Sequence, residues 1–177
     1  MLELGHRHFL YLPGPKYNLS QTRRYAGIMD ALSEANVPAS NIREIDYHTV
    51  FGSSAESTSS YKPYEELFFP VNYTAVIGFN DLQSYSAMEI LQKKGYRIPE
   101  DISLISFDHL RKTHTYLPPL TSIADNSEKS IADTVVSILL DKIRNPSSEV
   151  SSKVLPVSIF DGHTTGPINE TFAHSFE

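Results

Sequence analysis

From Thr74 to Leu110 the chain reads TAVIGFNDLQSYSAMEILQKKGYRIPEDISLISFDHL, and no other stretch limits the possible folds as tightly. An apolar run of strand length meets a polar turn and then an amphipathic helical pattern. A proline-containing link follows, then a second apolar run that ends in another polar turn. Strand, crossover helix and strand make a βαβ unit, whose two strands lie parallel. Each run ends on a polar side chain, Asn80 after the first and Asp108 after the second. Ligands of open parallel sheets bind outside the carboxyl ends of the strands. The pair is therefore placed to hold a small polar molecule.

The remaining chain repeats the alternation. Residues 7–12 read as a strand that ends at Pro13-Gly14-Pro15, and a helical pattern runs from Ser20 to about Asn36, with Asn18 or Ser20 suited to cap it. Pro38 lies beyond its end. A second strand covers 42–46, the Ser-rich run 51–60 reads as a loop, and a helix over 61–69 stops near Pro70. The strand over 75–79 leads into a helix over 81–94, with Gly95 placed as its left-handed terminator. The next strand is 102–107. After Pro118-Pro119 a helix over 127–144 carries Ile131, Val135, Ile138, Leu139 and Ile143 on one stripe and ends at Asn145-Pro146. The last strand is 153–160. Strand starts spaced by about 30 residues predict an α/β fold, a parallel sheet flanked by helices on both faces.

Length and charge narrow the function. One chain of 177 residues buries a single sizeable core. A net charge of −6 without a run of Lys or Arg is the wrong electrostatics for gripping nucleic acid directly. With no cysteine, disulfide frameworks and thiolate metal sites are excluded, and a cytoplasmic location is permitted. The opening residues MLELGHRHFLYLPGP fit neither a signal peptide nor a membrane span, because the apolar run Phe9–Leu12 is too short.

Four strands deliver four candidate groups to one edge: the loop Lys16–Ser20, then Tyr47, Asn80 and Asp108. A carboxylate, an amide and an aromatic face make a chemically sensible site for a hydroxylated ligand. Arg24 lies one helical turn after Ser20 on the same face, so both can point to one ligand. Asn80 and Asp81 also have a plainer role open to them, capping the next helix, and Asp108 can simply brace a turn. Arg23 reads as a solvated surface residue. The seven histidines show no metal-ligand spacing, so neither a metal nor a cofactor is expected. There is no G-x-S-x-G, no Walker A sequence and no G-x-G-x-x-G. Glu65-Glu66 and Glu100-Asp101 read as surface carboxylates rather than an acid/base pair, and no enzyme is expected.

The segments GHRHFLYLPGP, SQTRRYAGIMDALSEANVP, TAVIGFNDLQSYSAMEILQKKGYRIPEDISLISFD, YLPPLTSI and VLPVSIF with HTTGP follow in order over about residues 5–167. Together they resemble the LacI/GalR family of bacterial transcription regulators. The resemblance implies a periplasmic-binding-protein-like sensor of two lobes behind a helix-turn-helix, of which this chain carries mainly the second lobe. Residues 1–121 would be that lobe, 122–167 a crossover helix and strand belonging partly to a first lobe, and 168–177 a flexible tail. Carried over position by position, the ligand contacts would be Asn18, Ser20, Arg24, Tyr47, Asn80, Asp108 and Asp125. These identities favour a sugar or sugar derivative as small-molecule effector, with phosphorylated sugars and nucleobases, which the family also uses, left open. A homodimer is implied, with the helix after Asn80 contributing to its interface, and operator DNA would be reached only through the headpiece. The resemblance also implies that the helix and strand after PPLT cross back towards the first lobe; without that lobe the stripe Ile131–Ile143 would be exposed or would pack against another copy.

Two features depart from the family pattern. The segment between Tyr47 and Tyr61 is longer and richer in serine than usual, and Gly162-His163 stands where a basic residue commonly precedes Thr-Thr. Three other readings remain open at the level of sequence: a sugar-binding protein of a transport system, an α/β enzyme acting on a sugar or nucleotide, and a stand-alone dimerisation module.

Overall fold

The computed structural model describes residues 1–45, 64–110, 114, 116–126, 131–149 and 152–174. Six strands, β1 (Phe9–Leu12), β2 (Ile42–Glu44), β3 (Ala75–Gly78), β4 (Ser103–Phe107), β5 (Ser122–Asp125) and β6 (Val157–Phe160), form one sheet in the order β2-β1-β3-β4-β5-β6. The helices are α1 (Leu19–Glu34), α2 (Asp81–Lys93), α3 (Ile131–Arg144) and the short α4 (Glu170–Ala173). The segment expected as a helix over 61–69 is a 3-10 turn, Tyr64–Phe68, within its described part. Tyr47 and the serine-rich loop lie outside the described residues.

The alternation of side chains along β1 and β3 explains the layers. Phe9, Tyr11, Ala75 and Ile77 point to one face and join Leu32, Val37 and Ile42 beneath α1. Leu10, Leu12 and Val76 point to the other and join Ala87, Ile90 and Leu91 of α2 with Leu104 of β4. Both faces of the central strands are thus buried, as a parallel sheet requires. Helix α2 lies very close to the strand before it: a Cβ on Gly78 would stand 1.9 Å from Ser84 Oγ. That hydroxyl also donates to Asn80 O at 3.0 Å and accepts from the Ser106 hydroxyl at 2.8 Å. Gly95, at φ +92, ends α2 as expected.

The last strand departs from the parallel pattern. All pairings from β2 to β5 are parallel, but β6 runs antiparallel to β5. The excursion through α3 leaves and rejoins the sheet at one edge, with Asp125 paired to Val157, and a chain that comes back to the edge it left runs backwards. Beyond residue 121, β5 and β6 extend the same sheet. Only α3 stands apart: it buries Thr134 alone, while Ile131, Val135, Leu139 and Ile143 are each more than half exposed. The expected loose tail is also partly ordered. Ile168 donates its N–H to Leu4 O at 2.8 Å, Asn169 caps α4, and Phe172 meets the Tyr96 ring edge-on.

The segment after β6 is sewn into the sheet by side chains. Thr164 Oγ1 accepts from Thr121 N and donates to Leu104 O, and Gly162 N donates to Thr121 Oγ1. Gly162 sits so tightly that a Cβ would stand 2.2 Å from the Leu120 carbonyl carbon. The departure at this position is therefore accommodated by a backbone contact that leaves no room for a larger side chain. Gly162→Ala is expected to destabilise the fold by about 1–3 kcal/mol, the usual cost of forcing atoms into a filled space. A lower urea midpoint at unchanged slope would report it.

At the opposite edge from the polar strand ends, His6 is 1% exposed. Its Nδ1 faces Thr74 Oγ1 at 2.9 Å, and its Nε2 faces Ser103 Oγ and Gly166 O, both at 3.0 Å. One imidazole thus links the approaches to β1, β3 and β4 with the C-terminal segment. Burial lowers its pKa below the ordinary 6.5, outweighing the opposite effect of the Gly166 carbonyl. The unfolded chain therefore takes up this proton first, and stability that is complete above about pH 6.5 is lost as pH falls towards the folded-state pKa. His6→Gln is expected to flatten the change in urea midpoint between pH 7.5 and 5.5, a window above most carboxylate titrations.

Candidate functional site

Helix α1 starts at the carboxyl end of β1 because Asn18 caps it, accepting from Ser20 N at 2.8 Å. The preceding Pro13–Pro15 turn is shaped by Gln21, whose Oε1 accepts both Tyr11 OH and Gly14 N at 2.7 Å. Burial pushes the Tyr11 hydroxyl up to about 12, so it stays a donor. Gly14 is required for contact as well: a Cβ there would lie 2.6 Å from the Phe79 ring.

Arg24 organises the space between the strand ends. Its guanidinium lies over the rings of Phe79 and Phe107, 4.8 and 4.5 Å from their centroids. Nη1 donates to Phe79 O, and Nη2 pairs with Asp108 Oδ1 at 2.9 Å. Three elements, α1, β3 and β4, meet at this cation. Asp108 remains accessible, its side chain 43% exposed, so a ligand can reach the carboxylate already oriented by Arg24.

Asn80 caps α2, with Oδ1 accepting from Gln83 N at 3.0 Å. The capping role and the candidate binding role are compatible, because the cap uses only the carbonyl oxygen and leaves the amide NH2 as a donor. Asp108 pairs with Arg24 and stays accessible. Asp125 closes β5, one strand further along the sheet. By topology Asn18, Ser20, Arg24, Asn80, Asp108 and Asp125 all belong to the carboxyl-end edge of the parallel strands, and contact is direct between Arg24 and Asp108. Asn18 and Ser20 are exposed at the start of α1.

Several contributors escaped sequence reasoning. Phe79 and Phe107 read only as strand residues, yet their positions just before Asn80 and Asp108, the first directly after β3 and the second at the end of β4, are what place rings beneath the cation. Gln83 donates from Nε2 to Pro13 O at 2.9 Å, linking α2 to the turn after β1. His109 stacks on Phe160 at 4.2 Å, and both it and Asp108 adopt positive φ. Among the described residues, no group of three or more His, Asp or Glu is placed to hold a metal ion. None of their helices is long and apolar enough to cross a membrane.

A parallel sheet with helices on both faces, polar groups gathered at its carboxyl edge and an antiparallel closing strand define a ligand-binding lobe of the periplasmic-binding-protein type. Comparison with known proteins agrees. The periplasmic binding protein-like domain family matches residues 1–165. The HTH-type transcriptional repressor PurR of Escherichia coli (strain SMS-3-5) is 32% identical over 155 residues, which cover 86% of this chain and 43% of the repressor. The dimeric Lac repressor with an 11-residue C-terminal deletion superposes with a TM-score of 0.73 at 27% identity, over 95% of this chain and 58% of that one. The LacI family transcriptional regulator of Enterococcus faecium, solved with bound ribose, gives 0.74 at 25% identity, over 95% and 60%. The chain belongs to the periplasmic binding protein-like domain family, as an effector-binding domain of LacI/GalR type. It spans less than half the length of the PurR repressor it matches.

Arg24→Lys tests the central cation. A lysine has neither the planar face for two rings nor the fork that reaches Phe79 O and Asp108 together. The variant is expected to lose about 1 kcal/mol of stability, the scale of a partly exposed cation–π contact and ion pair. Thermal unfolding monitored by circular dichroism would measure it.

Proposed function

We propose that this chain is the effector-sensing part of a LacI/GalR-type repressor, and that its effector is a small polyhydroxylated molecule, a sugar or sugar derivative. The Arg24–Asp108 pair at the carboxyl edge carries this reading. A partly exposed carboxylate held by a guanidinium accepts hydroxyl hydrogens, while the second guanidinium edge and the Asn80 amide donate to hydroxyl oxygens. The contact set is Asn18, Ser20, Arg24, Tyr47, Asn80, Asp108 and Asp125. The ribose-bound Enterococcus faecium relative supports the choice of ligand class.

Helix α3, with its apolar stripe in solvent, belongs in this reading to the interface with a first lobe, and residues 122–167 cross between the two. The exposed side of α2, where Leu82, Tyr85 and Met88 border a groove of about 670 Å³ with Leu117 and Pro118, contributes to a homodimer. Effector between the lobes biases their arrangement, and so the affinity of a helix-turn-helix for operator DNA. Such a switch requires only different effector affinities in the two arrangements. The regulator works in the cytoplasm.

Asp108→Ala in the full regulator is expected to abolish the effector's influence on operator binding while leaving the dimer intact. Fluorescence anisotropy on operator DNA with and without effector reads the first, and sedimentation velocity the second. Loss of hydrogen bonds to a charged group is expected to weaken effector binding roughly tenfold to a hundredfold by calorimetry. An unchanged response would overturn the site assignment.

A further inference from the structure

The turn that carries Asp108 is under strain and is held from outside. Asp108 and His109 adopt φ values of 96° and 49°, backbone conformations that L-residues rarely take. Such residues persist only where their surroundings over-determine them, at a cost of order 1–3 kcal/mol each. The surroundings here converge on Asp81, which is 1% exposed. Its Oδ2 accepts from Leu110 N at 2.6 Å, and its Oδ1 accepts from Ser122 Oγ at 2.7 Å. Ser122 Oγ in turn accepts from His109 N at 2.9 Å, and Asp108 N donates to Ile123 O at 2.9 Å.

We propose that Asp81 is the positioning residue of the ligand site. Its two oxygens hold the His109 and Leu110 amides, one through Ser122 and one directly, and so fix the strained turn that presents Asp108 to Arg24. Asp81 touches no ligand in this scheme and acts through Asp108. A carboxylate suits the task because both oxygens accept, and as the first residue of α2 it sits at the positive end of that helix. Among the described residues, no Lys or Arg pairs with it, so its charge is balanced by the two donors and the helix terminus. The functional meaning rests on the effector-binding reading above, whereas the clamp itself does not.

The test is site-resolved amide hydrogen exchange by NMR on the 177-residue protein, together with the Arg24 guanidinium resonances, and it needs no effector. In Asp81→Ala the His109 and Leu110 amides are expected to exchange at least about tenfold faster, while those of Leu10 and Val76 in the central strands keep their rates. The Arg24 signals are expected to broaden as Asp108 moves away. Asp81→Asn keeps an acceptor for Leu110 and is expected to restore its protection. Ser122→Ala should release the His109 amide and spare Leu110, and it carries the test if Asp81→Ala does not fold. Unchanged His109 exchange in Ser122→Ala, or acceleration in Asp81→Ala shared equally with Leu10 and Val76, would overturn the proposal and leave Asp81 as a stability residue. If the clamp is found but the full regulator responds to no polyol, the functional reading fails and the clamp stands.

Discussion

The site depends on how closely α2 lies against the sheet. Gly78 has no room for a Cβ beside Ser84, and Ser84 reaches both the backbone at Asn80 and the Ser106 hydroxyl. Small residues on strand and helix let the N-terminus of α2 descend to the strand ends. From there Asn80 caps it and Asp81 reaches across to β5 and the turn after β4. A Cβ at position 78 would displace the Ser84 hydroxyl and with it the link from the helix start to Asn80 O and Ser106. Packing of the most ordinary kind thereby sets the geometry of the polar edge.

Much of this architecture was legible in the sequence because both halves of the signal are local. The continuous apolar runs FLYL and AVIG mark strands buried on two faces, and the capping positions Asn18 and Gly95 declare the start of one helix and the end of another. The missed strand β5 is four residues long and follows directly on Pro118-Pro119-Leu120-Thr121, so its alternation is too brief to separate from a loop. Strand direction has no local signature at all, which is why the reversal of β6 became visible only in the pairing of Asp125 with Val157.

The site was legible in its members more than in its mechanism. Asn80 and Asp108 follow from their place after apolar runs, and Arg24 from its spacing to Ser20. The contact of Arg24 with the Phe79 and Phe107 rings joins residues 55 and 83 positions away along the chain, and nothing in sequence spacing encodes it. The same holds for Asp81, whose partners sit 29 and 41 residues downstream. Its sequence neighbourhood suggests a helix cap, yet the cap is Asn80, which frees the carboxylate for tertiary contacts. Family resemblance supplied Asp125, a strand-end residue that periodicity alone would have passed over.

The excursion through α3 also has a mechanical consequence. The chain leaves the sheet after Asp125 and returns at Val157 directly beside it, and Asn126 N still donates to Pro156 O across the gap. Neighbouring strands stand about 4.8 Å apart. The excursion that contains α3 is consequently anchored through two paired strands rather than a single thread. A single thread lets its load swivel about any axis. Two paired strands remove that free swivel and tie the orientation of the excursion to the plane of the sheet.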